Sequence, residues 1–346
     1  MKWIPRSLVL FTVILLTSCG FFDRRETLHI YNWAEYISEE VIEAFEREFN
    51  CRVVVDTFDS NESMFARLRA GAVGYDLIFP TSYMAETLWN EEILLPLDHD
   101  LLPNIVGIDP EFLQHQATDK EMVYSVPYML GTTGIGYRKD RVTVTEKSWA
   151  IFDREDLAGR MMMLDDMRET IGAALKFLGF SINSTDPDEI NAAADVVIRW
   201  KRNLAQFDSE AYRTGLASGA FFVAQGYSGD VRMVIDDEPN VAYFLPEEGF
   251  LFYVDDMVIP RAAPNPALAH AFINFVTAPE NAAANMEWIY FLSPVTAAHD
   301  LLDEEMLNDP AVFVPREILS RAETIRDVRE SLHLYSAAWD RIKAAR

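Results

Sequence analysis

From residue 27 to residue 80 the period of hydrophobicity alternates between that of a strand and that of a helix, and this alternation leaves the chain few architectures. Leu28 to Tyr31 is a short apolar run. Ser38-Glu39-Glu40 then opens a segment whose Val41, Ile42, Phe45 and Phe49 share one helical face. Arg52 to Phe58 is a second strand-like run, Asn61 to Ala70 a helix closed by Gly71, and Tyr75 to Phe79 a third strand ended by Pro80. A βαβαβ order predicts an α/β fold with a mostly parallel sheet covered by helices.

Further along, "YSVPYMLGTTGIGYRKD" (124–140) is strand-like but carries Gly131, Gly134 and Gly136, as suits a strand passing from one domain to another. Residues 148–157, 167–179 and 187–202 are expected as helices around the strand "MMMLDD". "AFFVAQGY", "VAYFLP" and "FLFYVDDMVIP" are expected as strands, the last of which could cross back, and the part from Pro264 onward as mainly helical. The 346 residues suffice for two α/β lobes, expected as 27–131 with 254–299 and 132–253 with 300–346.

The first eighteen residues have the form of a signal peptide. Lys2 and Arg6 precede an apolar stretch, Leu8 to Leu16, that is shorter than the ~20 residues a spanning helix needs. Leu16-Thr17-Ser18-Cys19 closes it with small residues before a cysteine, the pattern of a bacterial lipobox. Cys19 is therefore the expected lipidation site, with residues 19–26 as a tether. An ordinary signal peptide cut nearby is the plainer alternative. Loss of Lys2 and Arg6 takes the formal charge from −25 to −27, spread along the chain. That excess argues against nucleic acid and suits a cationic partner, although a merely soluble acidic surface would account for much of it. Cys51, the only other cysteine, is expected as a buried thiol next to a strand.

The sequence has no P-loop, no dinucleotide-binding glycine motif and no H-E-x-x-H, and the histidines at 29, 99, 115, 270, 299 and 333 lack metal-ligand spacing, so neither a cofactor nor a metal is expected. "GYSGD" (226–230) is only a loose nucleophile elbow. Four stretches remain at strand ends, where open α/β sheets place ligands. Trp33-Ala34-Glu35-Tyr36 could wall an ammonium or fill a core in about equal measure. Thr81-Ser82-Tyr83 could cap a helix, contact a ligand, or both. Asp165-Asp166 with Glu169 could form a capping box, hold a cation, or serve hydrolysis. Tyr253 and Asp255 share one side of an apolar strand, where a carboxylate is costly unless paired.

Taken together, these stretches resemble the spermidine/putrescine-binding proteins of ABC-type polyamine importers, in the order "LHIYNWAEY", "SNESMFARLRAGAVGYDLIFPTSYM", "YSVPYMLGTTGIGYRKD", "LDDMRETIGAALKFLGFSINSTDPDEI" and the terminal "RIKAAR". The resemblance implies a two-lobe periplasmic-binding-protein fold of type II, each lobe a mainly parallel sheet flanked by helices, with crossing strands as the hinge. It implies a non-enzymatic monomer, lipid-anchored in the periplasm, that passes a polyamine to a permease. The implied ligand-binding residues are Trp33, Glu35 and Tyr36, Thr81 and Tyr83, Asp166 and Glu169, and Tyr253 and Asp255. Tyr253 stands where the family has a tryptophan. Either Tyr227 or Gln225 takes the place of another, Phe291 replaces a tyrosine, Ala34 a threonine, and a glutamine is missing near Ile325. Rival expectations are a binder of an amino acid, a sugar or ferric ion in the same fold, an exported hydrolase using Asp165, Asp166 and Glu169, and a lipoprotein that has lost transport.

Overall fold

The computed structural model describes residues 25–115 and 118–345. Cys19 and the expected signal peptide lie outside them. The chain opens as the alternation requires: β1 (Thr27–Asn32), α1 (Glu39–Phe49), β2 (Arg52–Thr57), α2 (Asn61–Arg69), β3 (Leu77–Ile78) and α3 (Ser82–Asn90). β2, β1 and β3 form a parallel three-stranded sheet in that spatial order, with Thr27 opposite Arg52 and Ile30 opposite Leu77. Cys51 is a buried free thiol just before β2.

A short helix α4 (Pro110–His115) leads to β4 (Val126–Arg138), thirteen residues long and buried almost throughout. Then come β5 (Met161–Met163), α5 (Met167–Phe177), α6 (Pro187–Lys201), β6 (Leu204–Phe207), α7 (Ala211–Ser218), β7 (Val223–Tyr227), α8 (Ser228–Asp237), β8 (Val241–Phe244) and β9 (Phe250–Met257). The second sheet has the order β10-β9-β4-β7-β5-β6, where β10 is Ala322–Thr324, and β8 is paired to β4. It is mixed rather than mostly parallel, because β4 runs antiparallel to β7, β8 and β9.

β4 and β9 join the two halves. The first half of β4 pairs with β9, its second half with β7 and β8. β9 and the residues after it also bridge to the first sheet, at Thr81 to Asp255 and Ile78 to Val258. One hydrophobic cluster holds Leu28, Phe45, Phe79, Val126, Met257, Phe272 and Met286. Another holds Trp149, Ile171, Val197, Trp200, Phe250 and Tyr335. Segment 300–346 contributes to both, with Leu302, Met306 and Val312 in the first cluster and Tyr335, Ala338 and Ile342 in the second.

Two local expectations are corrected. Residues 148–157 form two 3-10 turns, Trp149–Asp153 and Glu155–Leu157, because Arg154 is extended (φ −73°, ψ 103°) and interrupts the helix. The C-terminal part, besides α9 (Pro266–Val276), α10 (Pro279–Ile289) and the last helix Leu332–Ala344, includes the edge strand β10. Among the described residues no helix is long and apolar enough to cross a membrane.

Gly131 lies in β4 where two aromatic side chains press on the backbone. A β-carbon there would overlap Oη of Tyr253 and come within 2.9 Å of Cδ1 of Phe291. Gly131→Ala is therefore expected to cost about 1–3 kcal/mol by overpacking, measured as a lowered denaturant midpoint. Gly159→Ala, where nothing lies within 4 Å, tests only the strain of a left-handed residue at φ +73°.

Candidate functional site

A cleft with about 880 Å³ of space free of protein atoms, counting its opening to solvent, is lined by residues from the β1–α3 part of the chain, from α5 to α8, and from β9. Its inner wall is set by Asp255, whose carboxylate is buried in the middle of β9. Oδ2 accepts the Tyr36 hydroxyl at 2.7 Å and Oδ1 the Thr81 hydroxyl at 2.8 Å. Thr81 occupies the N-cap position of α3 without capping it, since its hydroxyl is committed to Asp255. Ser82 does the same for the neighbouring aspartate, donating to Oδ2 of Asp256 at 2.9 Å. The adjacent aspartates of the crossing strand are thus held by adjacent hydroxyls from α3. Asn61 steadies Thr81 in turn, donating from Nδ2 to Oγ1 and accepting the Thr81 amide, both at 3.1 Å.

The turn after β1 supplies aromatic faces. Trp33 packs against Phe58 with ring centroids 4.4 Å apart, while Tyr36 stands edge-on to Phe291 at 5.4 Å and to Tyr128 at 5.6 Å. From the other side Tyr253 meets Tyr227 at 5.4 Å and Phe291 at 6.1 Å. Such edge-to-face arrangements leave ring faces available to a cation or a methylene chain.

At the head of α5 the ambiguity of the acidic stretch is resolved by direction. Asp165 points outward and binds Nζ of Lys343 at 2.8 Å. Asp166 caps α5, its Oδ1 accepting the amides of Arg168 at 2.9 Å and Glu169 at 3.0 Å. Glu169 turns into the cleft, where its buried Oε2 has no hydrogen-bond partner among the described residues.

Of the sequence-derived candidates, Trp33, Tyr36, Thr81, Tyr83, Asp166, Glu169, Tyr227, Tyr253, Asp255 and Phe291 line this one cleft. Glu35 does not. It sits at φ +55° in the turn, its side chain 63% exposed, and pairs with Arg213 at 2.8 Å. Gln225 is fully buried behind the wall and donates to the Glu169 carbonyl at 3.1 Å, so Tyr227 is the one that faces the cleft. Residues the sequence reading missed are Phe58, Asp59, Asn61, Ser209, Glu210, Arg213 and Asp230, while Ala34 and Ile325, both named as departures from the family pattern, line the cleft. Asp59 and Asn61 follow β2, so the strand-end rule could have found them. Asp230 and Arg213 lie on α8 and α7, and the sequence carried no signal for their direction.

Among the described residues six carboxylates, Asp59, Asp166, Glu169, Glu210, Asp230 and Asp255, face the cleft with a single guanidinium, Arg213. Burial raises the affinity of Asp166, Glu169, Asp230 and Asp255 for protons. Asp255 is pushed up to about 6, its two hydroxyl donors offsetting part of the burial. Burial and the charge of Asp166 hold Glu169 well above the usual carboxylate range. Asp166 and Asp230 are raised by burial, Arg213 moderating the latter. Glu62, which accepts the Tyr83 hydroxyl at 3.2 Å, reaches about 7 through burial and Asp166. Among the described residues no cluster of His, Cys, Asp and Glu is arranged to hold a metal ion. The cleft is built to receive positive charge on an apolar, aromatic-lined body.

Residues 40–314 match the family model described as "Bacterial extracellular solute-binding protein". The spermidine/putrescine-binding periplasmic protein of Escherichia coli is 32% identical, the match covering 100% of this chain and 99% of that protein. A putrescine/cadaverine-binding protein of Pseudomonas aeruginosa is 33% identical over 97% of this chain and 98% of its own length. Among solved structures, the TpPotD lipoprotein of Treponema pallidum aligns with a TM-score of 0.82 and 35% identity, over 92% of this chain and 99% of that one.

The raised Asp255 value has a consequence for stability without ligand. An ordinary aspartate titrates near 3.9 when unfolded. The folded protein therefore holds the proton more tightly, and the associated stability is complete below about 4 and is lost as pH rises through about 6. Denaturant midpoints between pH 4 and pH 8 are expected to fall less steeply for Asp255→Asn than for the wild type. Parallel curves would contradict the assignment.

Proposed function

Because this chain belongs to the bacterial extracellular solute-binding proteins, we propose that it binds a polyamine of the putrescine or spermidine class and delivers it to the permease of an ABC importer. The observation that carries the reading is the Asp255 carboxylate, buried, ionisable near neutrality, held by two hydroxyls and without a cationic partner among the described residues. An alkylammonium supplies the missing positive charge. Trp33, Tyr36, Tyr227, Tyr253 and Phe291 desolvate its carbon chain, each ring face adding about 0.5–2 kcal/mol to a nearby cation. A second ammonium is assigned to Asp166 and Glu169, whose Oε2 needs a donor. The names of the Escherichia coli and Pseudomonas aeruginosa relatives, both binders of polyamines, support the same ligand class.

In this reading the core clusters are two lobes that close on the ligand, β4 and β9 crossing near residues 131/132 and 253/254. The names of the Escherichia coli and Pseudomonas aeruginosa relatives describe binding proteins, and we assign this chain no reaction. We further assign it to the periplasmic side of a membrane as a monomer tethered by lipid on Cys19. The support is the cysteine after small residues and the lipoprotein nature of the Treponema pallidum relative.

Calorimetric titration of the mature chain with putrescine, spermidine, spermine, lysine and arginine tests the ligand class. Saturable binding is expected for polyamines, with the ligand recovered unchanged; no heat from any polyamine would end the proposal. Asp255→Asn is expected to weaken binding by roughly 10- to 150-fold, the worth of a hydrogen bond to a charged group. Asp303→Asn, at an exposed helix cap that asparagine also satisfies, is expected to leave binding unchanged. Cys19→Ser should release the exported chain from membranes into the soluble fraction, and persistent membrane association would refute the lipid tether.

A further inference from the structure

Among the described residues Arg213 is the one cation lining an otherwise acidic cleft, and its partners are not the residues assigned to the ligand. Its Nη1 lies 2.8 Å from Oε2 of Glu35. The two come from opposite sides of the cleft, Glu35 from the turn after β1 and Arg213 from α7. Asp230, which accepts the Tyr212 hydroxyl, acts on the same guanidinium. The side chain of Arg213 is 24% exposed, so it is held in place rather than free in solvent.

Apart from Asp59 and Glu210, which are exposed and have no ion-pair partner among the described residues, the carboxylates at the cleft divide into two groups. Among the described residues Asp255, Asp166 and Glu169 have no ion-pair partner, and Oε2 of Glu169 has no hydrogen-bond partner. Glu35 is ion-paired to Arg213, and Asp230 lies in the field of the same guanidinium without an ion pair to it, as Asp166 and Glu169 lie in the field of Arg168. Two ammonium groups find anionic partners in the first group without disturbing anything. A third, extending toward the second group, must displace Arg213 or lie beside its charge in a partly desolvated cleft, and both are unfavourable. Discrimination by a repulsive element of this kind penalises one ligand without tightening the other.

We propose that Arg213, positioned by Glu35, is a specificity-determining residue that biases the cleft toward diamines and against triamines. The inference rests on the polyamine reading above and adds the number of charges the site accepts. It also explains why the carboxylate of "YNWAEY" is turned away from the ligand.

The test is titration of wild type, Arg213→Gln, Arg213→Lys and Glu35→Gln with putrescine and spermidine. Arg213→Gln is expected to raise the affinity for spermidine relative to putrescine by roughly tenfold, about 1.4 kcal/mol. Arg213→Lys keeps the charge and should retain the wild-type ratio. Glu35→Gln removes an anion and leaves Arg213 positive, so it should shift the ratio the opposite way. A general loss of affinity in Arg213→Gln, with the ratio unmoved, would reduce the residue to a structural role and overturn the inference. If the wild type binds neither amine, it is the polyamine reading itself that falls.

Discussion

A carboxylate in the centre of an apolar strand has to be stabilised by its surroundings, and at Asp255 the means of doing so ties the molecule together. Its hydroxyl donors come from the turn after β1 and from the start of α3, while its backbone belongs to β9, which pairs with β4. Three chain segments far apart in sequence converge on one side chain. Two neutral donors compensate the desolvated charge only in part, which is why the group titrates near 6 instead of near 4. The site is thus stable enough to fold and still lacks a positive charge.

The aromatic walls follow from the same constraint. Tyr36 both donates to Asp255 and presents its ring to Phe291, and Tyr253 lies flat enough against β4 that only glycine is accommodated at position 131. Packing these rings edge to face excludes water from the carboxylates, raising their proton affinity and strengthening their attraction for any cation that replaces the proton. Hydrophobic and electrostatic terms cooperate here because an alkyl polyamine presents both kinds of surface.

Much of this was legible beforehand. Period switching gave β1, α1, β2 and α2 nearly to the residue, since each burial face repeats within a few positions. Strand ends and aromatic-acidic composition, with the family resemblance, pointed to ten residues that line one cleft. Local preference was outweighed or silent at three places. Thr81 sits at a good N-cap position, yet its hydroxyl is drawn to Asp255 on the neighbouring strand. Segment 148–157 had helical spacing but is broken at Arg154. Glu35, adjacent in sequence to true wall residues, is carried outward by a left-handed turn.

The sequence alone determined the alternation of strands and helices and the chemical character of the site, carboxylates and aromatic rings. These are properties of residue type and short-range spacing. Only the tertiary structure decided which carboxylates are free and which are spoken for. Asp165 is taken by Lys343, Glu35 by Arg213, and Glu169 is left with an unpartnered oxygen. The first two pairings span 178 residues or join opposite sides of the cleft. A charge's partner is set by distance in space, and no local pattern encodes it.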